Sequence, residues 1–104
     1  MSEFRDFLDF QRTVGAWADA TFPNATIDSK MEHLRRETYE VQSTPKDPSE
    51  YADVLSLLIH AANSAGVDLF QAAKDKFEVI QLRKWGKPDE FGVVEHIREG
   101  ETGV

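Results

Sequence analysis

A short turn, Ser43-Thr-Pro-Lys-Asp-Pro48, separates two stretches in which apolar residues recur at helical spacing. Asp47 can accept a hydrogen bond from a free amide of the helix that follows it. Pro48 suits the first position of that helix, because the amide there needs no hydrogen-bond partner. A connection this short joins neighbouring antiparallel helices. The sequence therefore predicts a helical hairpin around this turn.

Comparable signals predict one helix before the hairpin and one after it. The four expected helices span about residues 3–20, 29 to just before 43, 48–64 and 69–85. Their expected caps are Ser2, Ser29 with Glu32, Asp47 with Glu50, and Asp68 with Gln71. Gly66 is expected to be left-handed, and Gly86 and Pro88 are expected to end the fourth helix. Since no segment shows a strand pattern, the predicted fold is an all-α four-helix bundle.

The third predicted helix has the most apolar face and is expected at the centre of the bundle. That face consists of Val54, Leu55, Leu58, Ile59 and Ala62. The length of 104 residues predicts a single domain, residues 1–104, with a flexible tail from about residue 99. Because so short a chain hides only a modest share of its apolar surface, we expect a homodimer or homotetramer with a shared core.

Charge and cysteine content exclude several classes of protein. The 19 acidic and 12 basic residues give a net charge of -7, which disfavours binding to nucleic acid or to anionic membranes. A nucleic-acid site built on Arg35 and Arg36 is therefore poorly supported. The absence of cysteine excludes disulfides and thiolate zinc sites and favours a cytoplasmic location. We see neither a signal peptide nor a membrane-spanning segment.

Two pairs of carboxylates flank the turn, Glu37 with Glu40 and Glu50 with Asp53. Residues three apart share one helix face, so the hairpin can bring all four carboxylates to one cleft. Such close negative charges repel each other unless cations or protons intervene. An all-oxygen ligand set favours Mg²⁺ or Mn²⁺, and metal held in this way most often serves phosphate chemistry.

A solvated, ion-paired surface is the alternative interpretation of these acidic residues. Glu32 with Arg36, Arg36 with Glu40 and His33 with Glu37 are each four apart, and Glu50 stands where a capping carboxylate belongs. Asp53 is harder to explain in this way, because no basic residue lies three or four positions from it. The three histidines, His33, His60 and His96, are better explained as structural or surface residues than as metal ligands.

Several segments together resemble the all-α nucleoside triphosphate pyrophosphohydrolases of the MazG-like superfamily, and most closely their phage and bacterial dATP/dGTP pyrophosphohydrolase branch, which includes MazZ-like enzymes. The segments are TFPNAT (21–26), HLRRETYEV (33–41), EYADVLSLL (50–58), KFEVIQLRKWGKPDEFG (76–92) and VVEHIR (93–98). The resemblance implies that Glu37, Glu40, Glu50 and Asp53 are the catalytic metal ligands and hold two or three Mg²⁺ or Mn²⁺ ions. It also implies hydrolysis of a purine deoxynucleoside triphosphate at the α-phosphorus to the monophosphate and pyrophosphate.

Other residues are candidates for substrate binding. Lys76, Arg83 and Lys84 on the fourth predicted helix could face phosphates, although basic residues there also complement the helix dipole. Trp17 could stack on the base, with core packing as the alternative role, and Asn24 could hydrogen-bond a base edge. Phe10 and Phe22 are further aromatic candidates. Trp85 is expected either to pack the helix end or to line a neighbouring subunit's pocket.

Two positions depart from the family pattern. Arg36 stands where relatives often have a second glutamate. Many relatives also have a Lys-x-x-x-Asn motif on the last helix, and in this chain Lys76 is followed by Ile80 at the asparagine position. Gln81 or Asn63 could substitute for that asparagine. These departures keep open the alternative of a catalytically silent helical module that binds partners through its acidic face. A phage-encoded protein of this kind would act in the host cytoplasm, in pool sanitation or in biosynthesis of a modified genome.

Overall fold

The computed structural model describes residues 4–98, and most of that part of the chain is helical. The helices are α1 (Phe7–Thr21), α2 (Ile27–Ser43), α3 (Pro48–Ser64) and α4 (Leu69–Leu82). Between residues 4 and 98 there is no strand, only an isolated antiparallel bridge between Trp85 and His96. The prediction of four helices and an all-α fold is therefore confirmed. No helix in this range is long and apolar enough to cross a membrane.

The chain divides into two compact units. The first extends to Ala72 and the second begins at Ala73. In the first unit, α3 packs against both α1 and α2, as its apolar face predicted. The single domain of residues 1–104 stays a prediction, and the tail from residue 99 lies outside the described residues.

The hairpin between α2 and α3 forms as the sequence predicts. The carboxylate of Asp47 accepts a hydrogen bond from the Ser49 amide at 2.9 Å, and Pro48 is the first residue of α3. The Tyr51 hydroxyl donates to the Pro45 carbonyl at 2.8 Å, which ties the first turn of α3 to the loop. These contacts fix the start of α3, and with it the direction in which the first turn presents Glu50.

Three predicted helix ends are wrong by a few residues. α1 begins at Phe7 rather than near residue 3, because the Asp6 carboxylate accepts from the Asp9 amide and caps it; Ser2 lies outside the described residues. α2 begins two residues before Ser29, since Thr26 is the cap and Ser29 is the other member of its capping box. α4 ends at Leu82 rather than at residue 85. The predicted cap at Asp68 and the left-handed Gly66 (φ 73°) are confirmed.

The core of the first unit lies where α1 crosses α3. Ile59 is fully buried, and Ala18 and Ala62 are also buried. Gly15 of α1 lets the helices approach closely, because a Cβ placed there would lie 2.9 Å from the Asn63 Cβ. The predicted apolar face of α3 is only partly buried in this chain, since 42% of Leu55 and 38% of Leu58 remain exposed.

Candidate metal centre and adjoining pocket

Three of the four predicted carboxylates form one cluster. Oxygen atoms of Glu37, Glu50 and Asp53 all lie within 4.8 Å of one another. Glu37 comes from α2, whereas Glu50 and Asp53 stand one turn apart at the start of α3, so the hairpin brings them together. Glu40 is not among the three, but its charge acts on Glu50. Helical spacing predicted four converging carboxylates, and the cluster contains three of them, without Glu40.

The electrostatics of the cluster are unfavourable without a cation. Partial loss of solvation raises the pKa of Glu50, and the neighbouring charges of Asp47, Asp53, Glu40 and Glu37 raise it further. Among residues 4–98, neither Glu50 nor Asp53 forms an ion pair with a basic side chain. Hard carboxylate oxygens that converge from adjacent helices are a donor set that fits Mg²⁺ or Mn²⁺.

Among the described residues, the basic side chains of α2 contact Glu32 and Glu37 but neither Glu50 nor Asp53. Arg35 and Arg36 both pair with Glu32, at 2.7 and 3.1 Å. Arg36 therefore points to the preceding turn rather than to Glu40. His33 pairs with Glu37, with its Nε2 atom 3.3 Å from a carboxylate oxygen. The ion-paired surface expected as the alternative exists around Glu32, one turn before the carboxylate cluster.

A pocket of about 300 Å³ adjoins the cluster within the first unit. It is lined by Val14, Trp17, Ala18, Phe22, Ala25, Ser29, Lys30, His33, Ser56, Leu57 and His60. His33, which contacts Glu37, connects the pocket to the cluster along α2. On α3, Ser56 follows Asp53 by three residues and so lies on the same helix face. His33 thus belongs to both features, because it lines the pocket and contacts a carboxylate of the cluster.

The aromatic residues divide into those that line the pocket and those that pack elsewhere. The Trp17 ring meets the Phe22 ring edge-to-face at 5.8 Å, and 62% of Trp17 remains exposed. Phe10 instead packs against Phe4 and Phe7, which agrees with the core role weighed for it. Asn24 lies in the turn between two lining residues but does not itself line the pocket.

Two buried polar contacts in the pocket wall escaped the sequence analysis. His60 is buried, and its Nε2 atom lies 2.9 Å from the Asp19 carboxylate. Lys30 is also buried and donates to the Ser64 hydroxyl at 2.9 Å. The sequence spacing does place both residues near the carboxylates. Lys30 precedes Glu37 by seven residues and His60 follows Asp53 by seven, so each shares a helix face with one carboxylate of the cluster.

The remaining predicted substrate residues lie in the second unit. Lys76 is in α4, and Arg83 and Lys84 follow the helix. The Lys84 carbonyl accepts from the Ile97 amide at 2.7 Å, and Trp85 meets His96 edge-to-face at 6.2 Å. Trp85 thus contacts His96 within its own unit, and both roles expected for it stay predictions. The substrate contacts of these residues stay predictions.

Comparison with known proteins identifies the family of this chain. The model of the dATP/dGTP pyrophosphohydrolase family matches residues 10–102, almost the whole chain. The chain belongs to this family. Its dATP/dGTP pyrophosphohydrolase relatives include a dATP/dGTP diphosphohydrolase of Salmonella phage PMBT28, 33% identical over 93 residues. That match covers 88% of this chain but only 32% of the relative, so the chain spans about a third of that protein's length.

A second relative in the same family has a length close to that of this chain. It is the dATP/dGTP diphosphohydrolase of cyanophage S-2L, 29% identical over 96 residues, covering 90% of each chain. Among solved structures, the cyanophage S-2L MazG-like pyrophosphohydrolase matches with a TM-score of 0.72 and 29% identity, covering 86% of this chain and 95% of that one. That enzyme is bound to dGDP and to three catalytic Mn²⁺ ions per active site. The resemblance expected from the carboxylate motifs is confirmed, and so is the MazG-like fold.

Proposed function

We propose that this protein is a metal-dependent pyrophosphohydrolase of purine deoxynucleoside triphosphates, converting dGTP or dATP to the monophosphate and pyrophosphate. The observation that carries the proposal is the cluster of Glu37, Glu50 and Asp53, within 4.8 Å of one another and beside an aromatic pocket. Membership of the dATP/dGTP pyrophosphohydrolase family and the Mn²⁺ sites of the cyanophage enzyme support it.

Glu37, Glu40, Glu50 and Asp53 would hold Mg²⁺ or Mn²⁺, in two or three sites. Bound divalent ions supply Lewis-acid polarisation of the phosphate oxygens and neutralise the negative charge of the triphosphate. The helices position the carboxylates before substrate arrives, so no large reorganisation is needed during the reaction. The His33 ring, 3.3 Å from Glu37, restricts the orientation of that carboxylate.

The pocket would receive the nucleoside end of the substrate. Its wall is largely apolar and includes the exposed Trp17 ring, which offers a surface on which a purine can stack. With the base in the pocket, the triphosphate extends along α2 and α3 toward the carboxylates. Asn24, Trp85 and the basic residues Lys76, Arg83 and Lys84 are retained as candidate substrate contacts on the basis of residue type and family resemblance.

A direct test measures product formation from each deoxynucleoside triphosphate with Mg²⁺ or Mn²⁺. We expect pyrophosphate and monophosphate in equal amounts from the purine substrates, rather than stepwise release of phosphate. Asp53→Asn should lower kcat by about 100-fold or more, because one negative ligand to the ions is lost.

The matched control is Glu32→Gln, which removes a carboxylate from α2 that pairs with Arg35 and Arg36 outside the cluster. This variant should retain activity. Absence of hydrolysis of every common triphosphate by the wild-type protein would contradict the proposal and favour a silent binding module. Full activity of Asp53→Asn would remove the metal-ligand assignment while leaving the reaction in place.

We further propose that the active form is a homodimer or homotetramer. The incompletely buried apolar face of α3, with Leu55, Leu58 and Tyr51 all exposed, supports a core completed by another copy. Sedimentation velocity should show a species larger than the 11.8 kDa chain, and Leu58→Glu should shift it toward the monomer. A monomeric wild-type protein at micromolar concentration would contradict this assembly. The cytoplasmic location and the lack of nucleic-acid binding stay predictions.

A further inference from the structure

Lys30 is an unusual residue in the wall of the pocket. Only 8% of it is exposed, and its Nζ atom donates to the Ser64 hydroxyl at 2.9 Å. Among residues 4–98, no carboxylate forms an ion pair with it. A neutral hydroxyl is therefore the partner that the described part of the protein gives to a buried lysine.

This placement is unfavourable for a residue with a purely structural role. An ammonium has three N–H donors, and removing it from water is costly unless those donors find acceptors. Lys30 also stands just after the capping box at the start of α2, where the helix dipole disfavours a positive charge. An uncharged side chain could fill the same space and bond Ser64. The lysine is better explained by an acceptor that arrives in the pocket with a ligand.

The position of Lys30 relative to the carboxylates indicates which part of a nucleotide it meets. Lys30 and Glu37 share one face of α2 and are seven residues apart, about 10 Å along the helix axis. Their backbone positions are thus about two helical turns apart, and the Lys30 ammonium is directed to Ser64. Lys30 lies beside the aromatic wall that includes Trp17 and Phe22, where the base would stack.

We propose that Lys30 determines base preference, by donating hydrogen bonds to the acceptor edge of guanine, and that it favours dGTP over dATP. This inference rests on the proposed function. Guanine presents two adjacent acceptors, O6 and N7, which a lysine can bind together, whereas adenine places the N6 amino donor beside its N7. Against adenine, the ammonium would meet a donor, and one of its own N–H groups would remain unpaired in a buried site.

The test compares kcat/KM for dGTP and dATP in the wild-type enzyme, in Lys30→Met and in Ser64→Ala. Methionine keeps most of the apolar stem and removes the donors, so the dGTP-to-dATP ratio should fall by about 10- to 100-fold. Ser64→Ala removes the structural partner but leaves the ammonium, and it should keep the guanine preference. Lys30→Arg, which retains paired donors, should keep part of it.

Substrate analogues test this inference in the wild-type enzyme, and calorimetry tests it without turnover. The wild-type enzyme should accept dITP, which has O6 and N7, and should discriminate against the deoxyribosylpurine triphosphate, which lacks O6. Calorimetry without metal should show tighter binding of dGMP than of dAMP to the wild-type protein, and Lys30→Met should lose that difference.

The outcomes separate this inference from the function on which it rests. Hydrolysis by the wild-type enzyme with no preference for dGTP, or with equal use of the analogue lacking O6, would overturn the role of Lys30 and leave the proposed function intact. An unchanged ratio in a folded Lys30→Met would do the same. A wild-type protein that hydrolyses neither purine triphosphate would overturn both.

Discussion

The Nε2 atom of His60 lies 2.9 Å from the Asp19 carboxylate, although 41 residues separate them in the chain. The ring is buried in α3, whereas 61% of the Asp19 side chain on α1 is exposed. The contact links the two helices at the wall of the candidate base pocket, since His60 is one of the residues that line it. An exposed carboxylate thereby holds a buried ring of the pocket in place.

Loss of this contact should destabilise the protein modestly. Asp19→Ala leaves a buried ring nitrogen without its partner, and we expect the free energy of unfolding to fall by about 1–3 kcal/mol. Asp19→Asn, which keeps an oxygen acceptor but not the charge, should lose less. Urea denaturation followed by circular dichroism measures both. Equal stability of all three proteins would show that the His60–Asp19 contact contributes nothing in solution.

The buried Gln11 side chain should contribute more to the free energy of unfolding than the His60–Asp19 contact does. Only 2% of it is exposed; its Nε2 donates to the Val67 carbonyl at 2.6 Å, and its Oε1 accepts from the Leu69 amide at 3.0 Å. Gln11→Met keeps the length but leaves two backbone groups unpaired, at a cost of about 1–3 kcal/mol for each group that stays dry. The same exchange at the exposed Gln42 is the control and should change little. Comparable unfolding midpoints for the two variants would contradict this role.

Trp17 should affect substrate binding more than folding. Because 62% of it is exposed, Trp17→Ala removes little core packing, whereas stacking of a base on an aromatic ring is worth about 10-fold or more in affinity. We expect KM for dGTP to rise and the thermal midpoint to stay close to that of the wild type. Phe91→Ala, at a ring that is 83% exposed in the second unit, is the comparison. A KM that is unaffected by Trp17→Ala would remove the stacking role.

The sequence predicted the α2–α3 hairpin better than the start of α2, and the reason is local. Asp47 followed by Pro48 is a strong start signal with few competitors, and α3 begins at Pro48. At the start of α2, Thr26 and Ser29 both fit a capping position. Glu32, the expected partner of Ser29, instead pairs with Arg35 and Arg36. Overlapping local patterns of similar strength cannot be ranked without the tertiary structure.

The candidate site likewise combines contacts that local spacing predicts with contacts that depend on tertiary packing. Glu50 and Asp53 are three residues apart and Glu37 lies just across the turn, so helical spacing and one hairpin suffice to bring them together. The contacts of Lys30 with Ser64 and of Asp19 with His60 join residues 34 and 41 positions apart. Such pairs depend on the crossing of α3 with its two neighbours, which periodicity does not specify.

The charge repulsion at Glu50 should make the metal-free protein less stable as the pH rises. Its pKa is raised in the folded state by partial loss of solvation and by nearby carboxylates, so the folded protein binds this proton more tightly than the unfolded chain does. The resulting stabilisation is fully present below the ordinary glutamate pKa of 4.5 and is lost as the pH rises through the higher, folded-state pKa.

In EDTA, Glu50→Gln should reduce this loss of stability and should have a higher Tm than the wild type at pH 7. In Mn²⁺ the wild type should have the higher Tm, since its cluster binds a cation that Glu50→Gln holds less tightly. Thermal melts in EDTA and in Mn²⁺ at a series of pH values measure the effect, with Glu32→Gln as the control for a lost negative charge on the same hairpin. If the Glu50→Gln and Glu32→Gln curves run parallel in EDTA, the repulsion inferred for the cluster does not limit stability.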